Sequence, residues 1–151
     1  KMHRSIRKAM GGVRSLLFGP TWEDIDALKA TYGTPPSEFI TLPNGETIHL
    51  RDEGEKGAPP LVLVHGHSED LHTWVGLVER LVESHRVIRY DLRRHGLTGP
   101  ASDDGYSIER YVADLAMVVD HLAKQLERRG IAVTVKHREL QRARRRAEAS
   151  F

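Results

Sequence analysis

The spacing of hydrophobic positions changes along this chain in a regular order. In residues 21–32, TWEDIDALKATY, Ile25 and Leu28 share one helical face. Thr21 is placed to cap that helix, acids fill its first turn, and Gly33 with Pro35-Pro36 ends it. Residues 37–54 then alternate. Ile48 and Leu50 interleave with Thr47 and His49, and two strand-like runs flank Asn44-Gly45, which predicts a β-hairpin with a half-buried second strand. The apolar run 61–64, between Pro60 and His65-Gly66, predicts a strand covered on both faces, the parallel-sheet type. Helical spacing returns in 72–84, with Trp74, Leu77, Val78 and Leu81 as the inward face. Residues 86–91, RVIRYD, predict the next strand, and 92–105 a polar loop. Ser107 is set to cap a helix whose Ile108, Tyr111, Val112, Leu115, Val118, Val119 and Leu122 lie on one side, with Gly130 as its stop. Residues 131–135, IAVTV, predict a last strand.

Strands that alternate with helices imply right-handed crossovers and a parallel sheet, so the fold class is α/β with the antiparallel hairpin at one edge. The organisation expected is a basic segment over 1–20, one domain over 21–135 and an Arg-rich tail over 136–151. Charge supports that division. The chain has a net charge of +2, yet 1–14 carry five Lys/Arg and no acid, 15–127 carry ten basic and nineteen acidic residues, and 128–151 carry eight basic and two acidic. The body is acidic and the ends are basic. The start is compatible with a frayed basic end, with peripheral contact to anionic lipid, or with the remnant of an anchor. Its apolar part, VRSLLF, is too short to span a bilayer.

Composition removes several chemistries. The absence of cysteine excludes disulfides and thiolate metal sites. Of nine histidines only His65 and His67 are two apart, without acidic partners at ligand spacing, so no metal is expected. No G-x-G-x-x-G follows a strand, so no dinucleotide cofactor is expected either. Nucleic acid is not an expected partner. No aromatic residue interleaves with the tail arginines, and the acidic body opposes such contact.

Five pieces in register carry a resemblance: FITLPNGETIHLRDEG, PPLVLVHG, HTWVGLVERL, RVIRYDLRRHGLTGP and YSIERYVADL. From about Ser37 to Leu126 the chain resembles the first half of an α/β-hydrolase-fold protein. Relatives of this type often carry an N-terminal hydrophobic anchor, which implies weak membrane association through the basic start. The resemblance implies that His65-Gly66 ends the third strand and that the backbone N–H of His67 helps form an oxyanion hole. It implies that Gly66 lets the backbone approach the substrate. It also implies that 91–100 is the loop after the fourth strand, where the family favours D-x-x-G-x-G. Asp91 and Gly96 fit that pattern and Arg94 stands where a glycine is expected, a strain of roughly 1–2 kcal/mol if φ there is positive. Asp91 is expected to be a structural hydrogen-bond acceptor, His95 to face the pocket mouth, and His72 and Trp74 to pack.

The family's nucleophile sits on a G-x-S-x-G-like elbow after the fifth strand. Here IAVTV is followed by Lys136-His137-Arg138-Glu139-Leu140, with no Ser, Cys or Asp and no flanking Gly. The remaining serines lie elsewhere, and the later acid and His of a triad have no place after Val135 beyond His137, Glu139 and Glu148. Two readings of the tail stay open, an exposed helical or disordered segment and a shifted reading frame. With suitable codons, residues 137–140 read one base later encode Thr-Gly-Asn-Ser. The expectation is thus an α/β-hydrolase sheet incomplete at its C-terminus. Complete relatives hydrolyse ester or related bonds in small molecules; this chain alone is expected to be inactive. The alternative is a non-catalytic binding module whose basic ends contact anionic partners.

Overall fold

The computed structural model describes residues 25–102, 105–131 and Arg145. Their elements run in order: helix α1 (Ile25–Tyr32), strands β1 (Ser37–Thr41), β2 (Thr47–Glu53) and β3 (Pro60–Val64), a 3-10 turn (Leu71–Trp74) leading into helix α2 (Val75–Leu81), strand β4 (Arg86–Tyr90) and helix α3 (Ile108–Arg128). The strands form one sheet in the order β1-β2-β4-β3. β1–β2 and β2–β4 are antiparallel and β3–β4 is parallel, so the hairpin does lie at one edge and a crossover through α2 does join two parallel strands. The expected strand 131–135, apart from Ile131, lies outside the described residues, as do 1–24 and, apart from Arg145, the tail. Among the described residues no helix is long and apolar enough to cross a membrane.

Local chemistry accounts for the element ends. Gly45 N–H donates to Leu42 O at 2.9 Å, Leu42 N–H donates to Glu46 O at 2.8 Å, and Gly45 takes φ +87°, which glycine adopts without a Cβ penalty. The hairpin loop thus spans 42–46 and is wider than a two-residue turn. Asn44 has a further task, since its Nδ2 donates to Asp114 Oδ1 on α3 at 3.1 Å and so pins the loop to the helix. Ser107 caps α3 as expected, its side chain accepting from Arg110 N–H, and Gly130 closes the far end at φ +75°.

Strand alternation divides the sheet into two faces. Ile40, Ile48, Leu50, Ile88 and Tyr90 form the core with Leu42, Leu92 and, from α3, Val118 and Leu122. Each such side chain stabilises the fold by about 1.5–3 kcal/mol when fully buried. The opposite face carries Phe39, His49, Arg51 and Arg89. His49 is here fully buried rather than on a solvated face, so the half-buried reading of β2 is corrected. Phe39 stacks on its ring with centroids 5.0 Å apart. The two-faced burial expected of β3 is corrected as well. β3 pairs only with β4 among the described residues and is exposed at Pro60 and Val64, whereas all five residues of β4 are buried because it lies between two strands.

Burying β4 places charged side chains inside. Arg86 makes a bidentate pair with Asp52, at 2.9 and 2.6 Å, and Lys56 adds a contact to Asp52 Oδ1 at 2.9 Å. Arg89 pairs with Glu53, and Arg93 pairs with Asp114 at 2.7 and 2.9 Å. Burial alone would raise the Asp52 pKa, but hydrogen bonds from Arg86 and Lys56 outweigh it and hold it below the usual 3.8.

The two helices flanking β4 differ from the sequence pattern in informative ways. The expected helix 72–84 is a 3-10 turn followed by a shorter α-helix. Leu71 and Val78 are buried, while Leu77 is 44% exposed. His72 does not pack, being exposed with its side chain against Asp70. The apolar side of α3 changes along its length: Val118 and Leu122 are buried in the core, Tyr111 and Leu115 pack against it and also line a cavity with Val112, and Ile108 is 71% exposed.

Asp91 fixes the exit of β4. Its Oδ2 accepts from His49 Nδ1 at 2.7 Å and from Leu97 N–H at 2.8 Å, and its Oδ1 accepts from Leu71 N–H at 2.8 Å. Burial would raise its pKa, but these hydrogen bonds outweigh that cost and hold the carboxyl below its usual 3.8. Gly96 must be glycine here, because a Cβ would lie 2.2 Å from Asp91 Oδ2 and φ is +46°.

Two outcomes follow for stability. Asp114→Leu should cost about 3–5 kcal/mol in urea unfolding by leaving the Arg93 charge buried. The double variant Arg93→Met/Asp114→Leu should recover most of that loss, and equal losses in both would contradict this account. Asp52 and Asp91 have depressed folded-state pKa values, so their stabilisation is complete above the ordinary carboxylate range near 3.8 and is lost as pH falls through the lower folded values. Acid titration followed by circular dichroism should therefore show the fold surviving below pH 3.8. Asp91→Asn should flatten that acid limb and cost about 1–3 kcal/mol at neutral pH.

Candidate functional site

The parallel pair β3–β4 ends with both strands delivering their chains to one edge of the sheet. Val64 and His65 leave β3 there, and Tyr90 and Leu92 mark the exit of β4. The first half of α3 lies alongside, and a cavity of about 650 Å³ opens between them. Its walls are apolar on the helix side, with Ile108, Tyr111, Val112 and Leu115, and include His65, His67 and His95. The three imidazoles form a connected group. His65 and His95 have centroids 5.1 Å apart, and His67 and His95 5.9 Å apart, each pair edge to face.

These rings have different freedoms. His65 is buried, and its Nε2 accepts from Leu92 N–H at 3.0 Å. Its Nδ1 therefore carries the proton and donates to Gly66 O at 2.8 Å. Both nitrogens are occupied, so His65 ties the β3 exit to the β4 exit and has no nitrogen left to act as a base. His95 donates from Nδ1 to Arg93 O at 2.9 Å, which leaves Nε2 without a partner among the described residues. His67 is exposed.

The turn after His65 presents backbone rather than side chains. Gly66 N–H donates to Glu69 Oε2 at 2.8 Å and Glu69 N–H donates to Gly66 O at 3.4 Å, with Ser68 at φ +64°. Within this closed turn the His67 N–H has no hydrogen-bond partner among the described residues. A Cβ on Gly66 would meet only the flexible end of Glu69, at 3.3 Å, so packing within the described residues does not demand glycine there.

Asp91 is buried behind the loop and acts as its frame, the acceptor role expected of it. Gly96 lines a smaller recess of about 310 Å³ with Ser68, Glu69, Asp70 and Thr73 rather than the main cavity. Arg94 does take positive φ, +64°, at the position where a glycine was expected, and its guanidinium lies 4.1 Å from the centroid of Tyr106. Sequence reasoning missed Tyr90, whose hydroxyl is buried without a partner among the described residues. Burial, and then the Asp114 charge, push its pKa up. RVIRYD was legible as a strand, but neither the face of Tyr90 nor the cavity beside it was read from it. Among the described residues no group of three or more His, Cys, Asp or Glu is arranged to hold a metal ion.

Comparison with known proteins gives this geometry a context. Residues 59–125 match the model of the alpha/beta hydrolase fold. The chain is 30% identical over 80 residues to epoxide hydrolase 4 of Mus musculus, covering 52% of this chain and 22% of that protein. It is 29% identical over 92 residues to epoxide hydrolase A of Mycobacterium tuberculosis, covering 60% of this chain and 29% of that protein. The crystal structure of epoxide hydrolase A from Mycobacterium thermoresistibile superposes with a TM-score of 0.52 at 31% identity, over 60% of this chain and 28% of that one. The chain therefore spans under a third of the length of these relatives. The parallel β3–β4 pair, the matched residues and the superposition agree, and this part of the chain has a partial α/β-hydrolase fold.

Proposed function

We propose that residues 65–69 are the oxyanion loop of a hydrolase pocket, that the apolar cavity beside α3 receives the substrate, and that the reaction served is hydrolysis of an ester or related bond in a small apolar molecule. The observation that carries this reading is the His67 N–H, unpartnered on the wall of that cavity. An amide donor held in place by a closed turn costs no reorganisation when negative charge develops on oxygen, and each such donor is worth about 3 kcal/mol in acyl transfer. His65 supports the loop by holding the β3 and β4 exits together. Gly66 adds no side chain of its own beside the backbone, where the nearest neighbour of a Cβ would be the flexible end of Glu69 at 3.3 Å.

The same wall lacks an attacking group. Among the described residues the cavity is lined by Val, Leu, Ile, Tyr and His, with no Ser, Thr, Cys, Asp, Glu or Lys. We infer that these residues supply the front of the pocket, and that the 151 residues alone bind an apolar ligand without turning it over. The basic ends, proposed by composition as contacts for anionic partners, fall outside the described residues apart from Arg128, Arg129 and Arg145.

Calorimetry with an alkyl phosphonate, whose oxygens carry the charge of a tetrahedral intermediate, tests the assignment. His67→Pro, which deletes the donor, should weaken binding about tenfold, the equivalent of one lost charge-assisted hydrogen bond. Val112→Asp, which puts a like charge on the cavity wall, should weaken it by at least about as much. The parent chain should hydrolyse neither a terminal epoxide nor an unactivated alkyl ester above the buffer rate. Turnover that disappears on Gly66→Val would show a complete catalytic site and overturn the reading.

A further inference from the structure

A second set of reactive groups lies on the opposite face of the sheet. Ser37, at the start of edge strand β1, is paired in register with Arg51, and both share a face with Phe39 and His49. Ser37 Oγ is 2.9 Å from His49 Nε2, and His49 Nδ1 is 2.7 Å from Asp91 Oδ2. Arg51 Nε donates to the same Ser37 Oγ at 3.1 Å.

The protonation states follow from the partners. Asp91 accepts from two backbone N–H groups as well as from His49, so it is the ionised acceptor and the imidazole proton sits on Nδ1. In the neutral ring Nε2 is then an acceptor, and the Ser37 hydroxyl donates to it. A hydroxyl is thereby aligned with a base that is oriented by a buried carboxylate, the arrangement that activates a weak oxygen nucleophile. His49 and Asp91 are buried, while Ser37 is half-buried at a sheet edge and within reach of a reagent. The terminal nitrogens of Arg51 have no partner among the described residues and lie on the guanidinium already bonded to Ser37, so a cation is in place for an oxyanion forming there.

We propose that Ser37 is a nucleophilic hydroxyl, modified by electrophilic phosphonyl and activated acyl donors through His49 and Asp91. This site is separate from the cavity of the proposed hydrolase pocket and does not depend on that reading. With an alkyl fluorophosphonate, the Ser37 Oγ–P bond forms, the P–F bond breaks and fluoride leaves. The hydroxyl proton moves to His49 Nε2, where Asp91 stabilises the imidazolium before the proton passes to solvent. With an activated aryl ester the Oγ–C bond forms, the C–O(aryl) bond breaks, and His49 returns the proton to the departing aryloxide.

The experiment is labelling of the full 151-residue chain with a fluorophosphonate, followed by intact mass measurement and peptide mapping. One adduct at Ser37 is expected, formed at least about tenfold faster in the folded chain than in the same chain in urea. Ser37→Ala, which leaves the buried His49–Asp91 pair in place, should remove that adduct while the circular dichroism spectrum is retained. Labelling of Ser37 at equal rates in folded and unfolded chain would overturn the proposal, as would an adduct confined to another residue. The comparison of folded with unfolded parent chain decides the matter even if the variant does not fold.

Discussion

Asp91 is the residue on which the local architecture converges. One carboxylate receives hydrogen bonds from β2 through His49, from the 3-10 turn through Leu71 and from its own loop through Leu97. Thr98 closes the circle, accepting from His49 N–H and donating to Asp91 O. Removing this acceptor would strand three buried donors, each costing about 1–3 kcal/mol when unsatisfied. The loop must therefore return close to the strand it left. That is why Gly96 has no room for a side chain. The same geometry sets the position of the β4 exit, against which His65 registers the turn over 65–69.

A second constraint comes from charge inside the sheet. β4 is central among the described strands, yet Arg86 and Arg89 lie within it and Arg93 follows in the loop after its end, each matched to a carboxylate on β2 or α3. Ion pairs of this kind add little net stability against apolar replacements but penalise any arrangement that separates them. They fix register: Asp52 opposite Ile88 brings Arg86 within reach, and Asp114 reaches Arg93 only when α3 crosses the sheet where it does. That crossing leaves the first apolar turns of α3 beside a cavity, with Tyr111 and Leu115 between it and the core. Pocket and ion pair are two consequences of one helix position.

Much of this was legible in the sequence, and the exceptions share a cause. The hairpin at Asn44-Gly45, the cap at Ser107 and the stop at Gly130 depend on a few adjacent residues, and local chemistry located them. The strands 61–64 and 86–91 were visible as short runs between turn signals. Burial was less so. His49 reads as a solvent-facing position in an alternating strand, and only its pairing with Asp91, 42 residues later, shows why it is inside. Asp114 sits in an amphipathic helix with no local sign that Arg93 and Asn44 will reach it. The exposure of β3 depends on which strands flank it, which a five-residue run does not encode. The proposal of an oxyanion loop over 65–69 rests on the order of five family-like pieces; the lone His-Gly pair carries little by itself.

The central claim is that the His67 amide is held ready for a negative oxygen at the mouth of an apolar pocket. Its most direct test is the ¹⁵N–¹H resonance of His67 during titration with an alkyl phosphonate. The account predicts a saturable downfield shift of that amide proton, with parallel changes at Val112 and Leu115 and none at Ser37. Saturable binding that moves Val112 and Leu115 but leaves the His67 amide unchanged would contradict it.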